Sequence, residues 1–137
     1  MKKVTGIGGV FFKAEDPKAL KAWYARHLGV FLPNPYGGLF EWRDREDPEK
    51  IGHTVWNPFP ADTKYFAPSD KAFMINFRVA DLEGLLAALR EAGVEVVGEM
   101  EVYEYGKFAW ILDPEGNKIE LWEPNDPEFR KVNGLEG

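Results

Sequence analysis

The sequence predicts an α+β fold, with two βαβββ modules in one chain forming curved mixed sheets around a cavity. Three observations carry that prediction. Two helices with amphipathic spacing each start at an Asp and stop at a Gly. The segments around them are rich in β-branched and aromatic residues. Both sets recur in the same order in the two halves of the chain.

Residues 4–13 open the chain as a strand. The two lysines before them fit a signal peptide, but the apolar stretch is short, rich in Gly and Phe, and followed at once by acidic residues. Asp16 then supplies an N-cap and Pro17 the first helical position, where a missing N–H costs nothing. Leu20, Trp23, Tyr24 and Leu28 form one apolar stripe, and Gly29 ends the helix. His27, in the last turn, reads as a structural group facing the helix dipole. Residues 39–44 and 52–56 read as strands, and 57–71, with its prolines and polar residues, as a linker between halves. Residues 73–79 form the next strand. Asp81 caps a second helix with Leu82, Leu85, Leu86 and Leu89 on one face, closed by Gly93. Strands at 94–103, 107–112 and 118–122 complete the chain, the last two separated by the turn Asp113-Pro114-Glu115-Gly116-Asn117.

The halves match at three landmarks. Residues 16–30 parallel 81–94, and Gly38-Leu39-Phe40-Glu41-Trp42 parallels Gly106-Lys107-Phe108-Ala109-Trp110. Thr54-Val55-Trp56-Asn57-Pro58 parallels Glu120-Leu121-Trp122-Glu123-Pro124. This gives one domain over 1–124, with module one at 4–58 and module two at 72–124. Residues 125–137 are a tail without periodicity, either draped over a partner subunit or mobile.

Composition narrows the function. At 137 residues, 45% of them hydrophobic and 15% aromatic, the chain can bury a core without disulfide or structural metal. The net charge of −6 and the scattered Lys and Arg exclude the electrostatic footprint of a nucleic-acid binder. No apolar run is long enough for a transmembrane helix, so no membrane partner is expected. The absence of Cys removes thiol nucleophiles and zinc thiolates and points to a cytoplasmic location.

The strand running into Asp16, the helix with Trp23-Tyr24, the strand running into Asp81 and above all the stretch 113–121 together resemble the vicinal-oxygen-chelate superfamily. Glyoxalases, bleomycin resistance proteins and extradiol dioxygenases belong to it, and the resemblance covers 4–124. It implies paired βαβββ modules, a small-molecule ligand, a homodimer and, in metal-bearing members, four ligand positions. Seven residues before each N-cap Asp stand Gly9 and Met74, where such members usually have His. The remaining two positions hold Glu120 and its repeat partner Thr54. Of the four only Glu120 is a good ligand for a divalent ion, so the metal site reads as lost and no cofactor is expected. One shifted site remains open, Glu120 with His53. Adjacent strand residues point to opposite faces, however, which turns His53 away from the cavity if Thr54 faces it.

Strand alternation places Glu120 and Trp122 on the cavity face, opposite Ile119 and Leu121. Glu120 is then either a general base or an inherited carboxylate bonded to a neighbour. Trp56 and Trp122 form either a clamp for a flat apolar ligand or core filling, and Trp42 and Trp110 read as core. Met74, Asn76 and Arg78 share the cavity face or its mouth, Asn76 to orient a polar group and Arg78 to hold a carboxylate or to stand as a surface charge. Gly9 leaves space for a ligand unless Met74 closes it. The expectation is a metal-independent small-molecule binder, favouring a cationic ligand on net charge alone. The alternatives are a glyoxalase-like lyase, isomerase or dioxygenase using a divalent metal or Glu120 as base, and a non-catalytic dimerising accessory module.

Overall fold

A computed structural model describes residues 3–30 and 38–135. Strand β1 (Val4–Ala14) leads into α1 (Pro17–Leu28), then β2 (Gly38–Arg43) and β3 (Ile51–Pro60). The second half runs β4 (Phe73–Val79), α2 (Leu82–Glu91), β5 (Val96–Tyr103), β6 (Gly106–Leu112) and β7 (Lys118–Pro124), followed by α3 (Asp126–Val132). The second half is therefore βαβββ as predicted. The further strand that the repeat places after Val30 falls on 31–37, outside the described residues.

Both predicted helix starts are made by the expected caps. Asp16 accepts from the Ala19 N–H at 3.1 Å and Asp81 from the Gly84 N–H at 3.1 Å. Gly29, at φ 70°, turns the chain out of α1 in a conformation that a side chain would strain.

The strands form one curved, mixed sheet in the order β2-β3-β1-β4-β7-β6-β5. In each half the opening strand pairs parallel with the closing one, β1 with β3 and β4 with β7, and β1 and β4 pair antiparallel at the centre. One face is covered by α2, whose Leu82, Leu85 and Leu86 pack with Val79, Ala109, Ile111 and Leu121. Each such leucine contributes about 1.5–3 kcal/mol relative to exposure. The opposite face carries a second cluster, Phe11, Phe66, Met74 and Trp110. Phe66 comes from the segment read as a linker, which folds back over the sheet.

The tail differs from its reading. It contains α3, with Asn125 accepting from the Glu128 N–H at 3.3 Å and Phe129 buried. The helix is only seven residues long, too short to show a period, which is why the pattern gave no signal. Its cap did: Asn125-Asp126-Pro127 repeats the chemistry of Asp16-Pro17.

Candidate ligand site

Two polar centres lie on the sheet face opposite α2. The first surrounds Glu120, which is 3% exposed. Asn76 Nδ2 donates to its Oε1 at 2.6 Å, Trp110 Nε1 donates to Oε2 at 2.9 Å, and the Tyr65 hydroxyl donates to Oε2 as well. Lys118 fixes the covering segment by donating to the Tyr65 carbonyl at 2.7 Å. Burial first, then the charge and hydrogen bond of Glu120, push the Tyr65 phenol well above the usual tyrosine range. Both carboxylate oxygens are thus engaged by groups from this chain.

Of the other predicted site residues, Met74 is buried in the apolar cluster of Phe11, Phe66 and Trp110. Gly9 is closed, but by Phe11 rather than by Met74: a Cβ at Gly9 would lie 2.6 Å from the Phe11 Cζ. Trp56 and Thr54 turn the other way from Glu120. Trp56 packs on Tyr24 of α1 and on Phe12, with ring centroids 4.4 and 5.4 Å away, so it forms no clamp with Trp122. The physical reason is register. Gly9 lies opposite Asn76, which lies opposite Glu120, and Gly9 lies opposite Val55. The structural counterpart of Glu120 is therefore Val55, and the sequence repeat was one residue out of step. That shift turns Thr54 and Trp56 away from Glu120, Trp56 onto α1, and turns His53 inward.

The second centre is built around that inward His53 and Arg78. Arg78 is 5% exposed, with its guanidinium carbon 5.4 Å from the Trp42 ring centroid and 5.2 Å from that of Trp122. Its NH2 donates to Asp126 Oδ2 of α3 at 2.6 Å. His53 is fully buried, its ring 5.0 Å from that of Phe129. Its Nε2 lies 3.0 Å from Arg130 NH1, which also donates to Glu41 at 2.6 Å. A guanidinium only donates, so in the neutral imidazole the proton sits on Nδ1, facing Asp126 Oδ1 at 3.5 Å. Burial pushes the Asp126 carboxyl up, and the polar contacts and charges of the neighbouring His53 and Arg78 more than offset that, leaving it below the usual range.

In this cluster Arg78 Nε and NH1 are buried without a hydrogen-bond partner, and His53 Nδ1 and Asp126 Oδ1 have only each other, at 3.5 Å. Arg78 and Asp126 line a cavity of about 1060 Å³ whose walls also include Trp42, Lys50, Glu123 and Arg130, whereas His53 is not part of that lining. Glu120 is not part of that lining. The cavity exists because β1 and β3 are paired from Gly9 and Val55 onward and not before. In the gap Trp42 Nε1 donates to Thr54 Oγ1 at 2.8 Å, which donates to the Ile7 carbonyl at 2.5 Å. Gly6 and Gly52 admit the indole: a Cβ there would lie 2.7 and 2.3 Å from its Cη2.

The four inherited positions do not fit a divalent cation. Gly9 is filled by a ring, Met74 is in an apolar core, Thr54 is bonded to Trp42 and to the Ile7 carbonyl, and Glu120 is surrounded by three proton donors. His53 and Glu120 belong to separate networks, so the shifted pair is not assembled either. Among the described residues no group of three or more His, Asp or Glu is placed to hold a metal ion.

Tyr65, Asp126, Phe129 and Arg130 escaped the sequence reading, and Trp42 was assigned to the core. Alternation indexes strands, and three of these lie on α3. Tyr65 lies in an irregular segment for which no pattern exists.

Residues 6–121 match the model of the Glyoxalase/Bleomycin resistance protein/Dioxygenase superfamily. No curated protein sequence matches the chain. Among solved structures it is similar to methylmalonyl-CoA epimerase from Mycobacterium tuberculosis, at 23% identity and TM-score 0.61, over 96% of this chain and 95% of that one. A variant of the Streptomyces coelicolor methylmalonyl-CoA epimerase, in complex with 2-nitronate-propionyl-CoA, is 19% identical at TM-score 0.65, over 89% of this chain and 99% of that one. The Mn(II)-bound glyoxalase from Novosphingobium aromaticivorans is 20% identical at TM-score 0.63, over 90% of this chain and 40% of that one. At such identities the likeness is one of fold. No helix among the described residues is long and apolar enough to cross a membrane.

Proposed function

The chain belongs to the Glyoxalase/Bleomycin resistance protein/Dioxygenase superfamily, and from that premise we propose that it is a metal-independent small-molecule-binding protein whose ligand lodges beside Arg78. The observation that carries this reading is the pair of nitrogens, Nε and NH1, that the buried Arg78 leaves without a hydrogen-bond partner at a cavity wall. A buried donor or acceptor left unpaired costs about 1–3 kcal/mol, and such groups are uncommon unless something satisfies them. Arg78, held between the rings of Trp42 and Trp122, offers that wall a polar anchor with aromatic neighbours.

Incubating the protein with Zn, Ni, Mn or Fe(II), desalting it and measuring metal by inductively coupled plasma mass spectrometry checks the first half. The expected result is no stoichiometric metal, and near-stoichiometric retention of any one ion overturns it. A thermal-shift panel of small organic acids, amines and neutral aromatics checks the second half. A ligand at 100 times its Kd adds about 2.7 kcal/mol to stability, so a binder is visible as a raised Tm. A flat response to the whole panel removes the binding reading.

The same reading includes a homodimer. Trp23, Leu28, Phe40 and Phe73 are exposed apolar side chains of the kind an oligomer interface covers. Light scattering at micromolar concentration is expected to give twice the monomer mass, and a monomer alone rules this out.

A further inference from the structure

We infer that α3 occupies part of the ligand site, and that the ligand is a carboxylate with a ring-sized apolar body that competes with α3 for Arg78 and for the face of Trp122. This rests on the reading of the Arg78 cavity as the ligand site and adds to it the ligand class and the internal competitor.

The chemistry of the contacts identifies the class. A guanidinium presents its N–H donors as a planar fork that matches a carboxylate at two points. Asp126 engages that fork at NH2 alone, leaving Nε and NH1 unsatisfied although Arg78 is 5% exposed. A side chain tied to a helix has the charge and shape of the natural partner but cannot reach the two-point geometry. A free carboxylate can. Phe129 follows Asp126 by three residues, on the same helix face. Its ring lies 5.0 Å from that of Trp122 and 5.0 Å from that of His53. Together Asp126 and Phe129 present a carboxylate and an aromatic ring to one Arg, one Trp and one His.

The competitor is weakly held by its own backbone. A helix of seven residues does not persist alone, so α3 depends on side-chain contacts that include Asp126 on Arg78, Phe129 on Trp122 and His53, and Arg130 on Glu41 and His53. A ligand that takes over the Asp126 and Phe129 contacts removes two of the side chains that hold α3 and leaves those of Arg130 with Glu41 and His53. Release of α3 also withdraws Arg130 from His53 Nε2. The uncovered site then consists of Arg78, His53, Trp42 and Trp122. The ligand carboxylate takes two N–H groups of Arg78 and faces the Nδ1–H of His53, while its ring replaces that of Phe129. An amine of the same shape is repelled by Arg78, and a neutral amide forgoes the charge. Local chemistry here outweighs the net charge of −6, on which a cationic ligand was expected.

Phenylacetate is the probe, with phenethylamine and phenylacetamide as isosteric controls. The first measurement uses the unaltered protein. Hydrogen exchange at Phe129 and Asn133, whose amides bond to Asn125 and Phe129 carbonyls at 2.8 and 3.2 Å, should quicken on saturation with phenylacetate. The second uses Asp126→Asn, which frees the fork by removing the competing charge. Phenylacetate should bind it about fivefold more tightly, because the competent fraction of the site rises, and Arg78→Gln should abolish binding. Exchange in α3 that slows or stays constant at saturation overturns the competition, whether or not Asp126→Asn folds. Equal affinity for the amine or the amide overturns the carboxylate class. Either result leaves the cavity standing as a ligand site, which falls only if the whole thermal-shift panel is silent.

Discussion

Glu120→Leu is expected to lower the unfolding free energy by roughly 3–5 kcal/mol, measured by urea denaturation. The carboxylate is the common acceptor for Asn76 Nδ2, Trp110 Nε1 and the Tyr65 hydroxyl. Asn76 and Trp110 are buried, so each loses a partner outright, at about 1–3 kcal/mol apiece. Tyr65 is partly exposed and rehydrates at little cost. Glu120→Gln separates loss of charge from loss of acceptor. Its carbonyl keeps the bonds from Tyr65 and Trp110, and Asn76, whose Oδ1 has no partner, can invert its amide to accept from the new NH2. That variant should lose only about 1 kcal/mol. The Tyr65 phenol gives a second readout. Its pKa in the folded chain lies above the unfolded value, so its contribution is full at neutral pH. That contribution is lost as pH rises past about 10, where the unfolded chain releases the proton first. Without Glu120 only burial and the charge of Glu101 still raise it, so Tyr65 ionises at lower pH and the alkaline slope of stability becomes shallower. A Leu variant as stable as the parent would mean that these donors find water instead.

Much of the fold was legible because it is written in local chemistry. Asp16-Pro17 and Asp81 are capping signals, and Leu82, Leu85 and Leu86 repeat with the helical period. Alternation alone placed Asn76, Arg78, Glu120 and Trp122 on one face, which the contacts among them bear out. The same alternation failed on β3, and the reason is specific. A repeat alignment that pairs Thr54 with Glu120 rests on two matching tryptophans, whereas hydrogen-bond register pairs Gly9 with Val55. One residue of error on a strand exchanges its two faces, and so His53 and Trp56 exchanged roles.

The Arg78 cluster was less legible, since its partners come from distant parts of the chain. Arg78 and Asp126 are separated by 48 residues, and Arg130 and Glu41 by 89. No short motif encodes such meetings. The break in pairing between β1 and β3 that admits Trp42 depends on Gly6 and Gly52 together, and neither glycine is informative alone. Small residues that vacate space for a ring are a structural signal that composition does not carry.

Asp126→Leu tests that cluster most directly and should cost about 3 kcal/mol or more. The substitution leaves the Arg78 guanidinium 5% exposed and without a counter-ion; the rings of Trp42 and Trp122 return only part of the loss. Acid should mimic it. The Asp126 carboxyl lies below the usual range in the folded chain, so its contribution is present above the ordinary aspartate pKa and is lost as pH falls through the lower folded value. Adding Arg78→Met to Asp126→Leu should restore stability to within about 1 kcal/mol of the parent, because replacing both members of a buried pair by apolar groups removes the desolvation cost along with the attraction. The parent would then be no more stable than an apolar replacement while carrying unpaired N–H groups on Arg78. On the proposed reading, Arg78 is then kept for its ligand and not for stability. The double variant should accordingly be stable and bind no phenylacetate. If instead the two substitutions destabilise additively in urea, with no coupling between them, Arg78 and Asp126 do not act as a pair, and the case for a polar site held together by α3 fails with them.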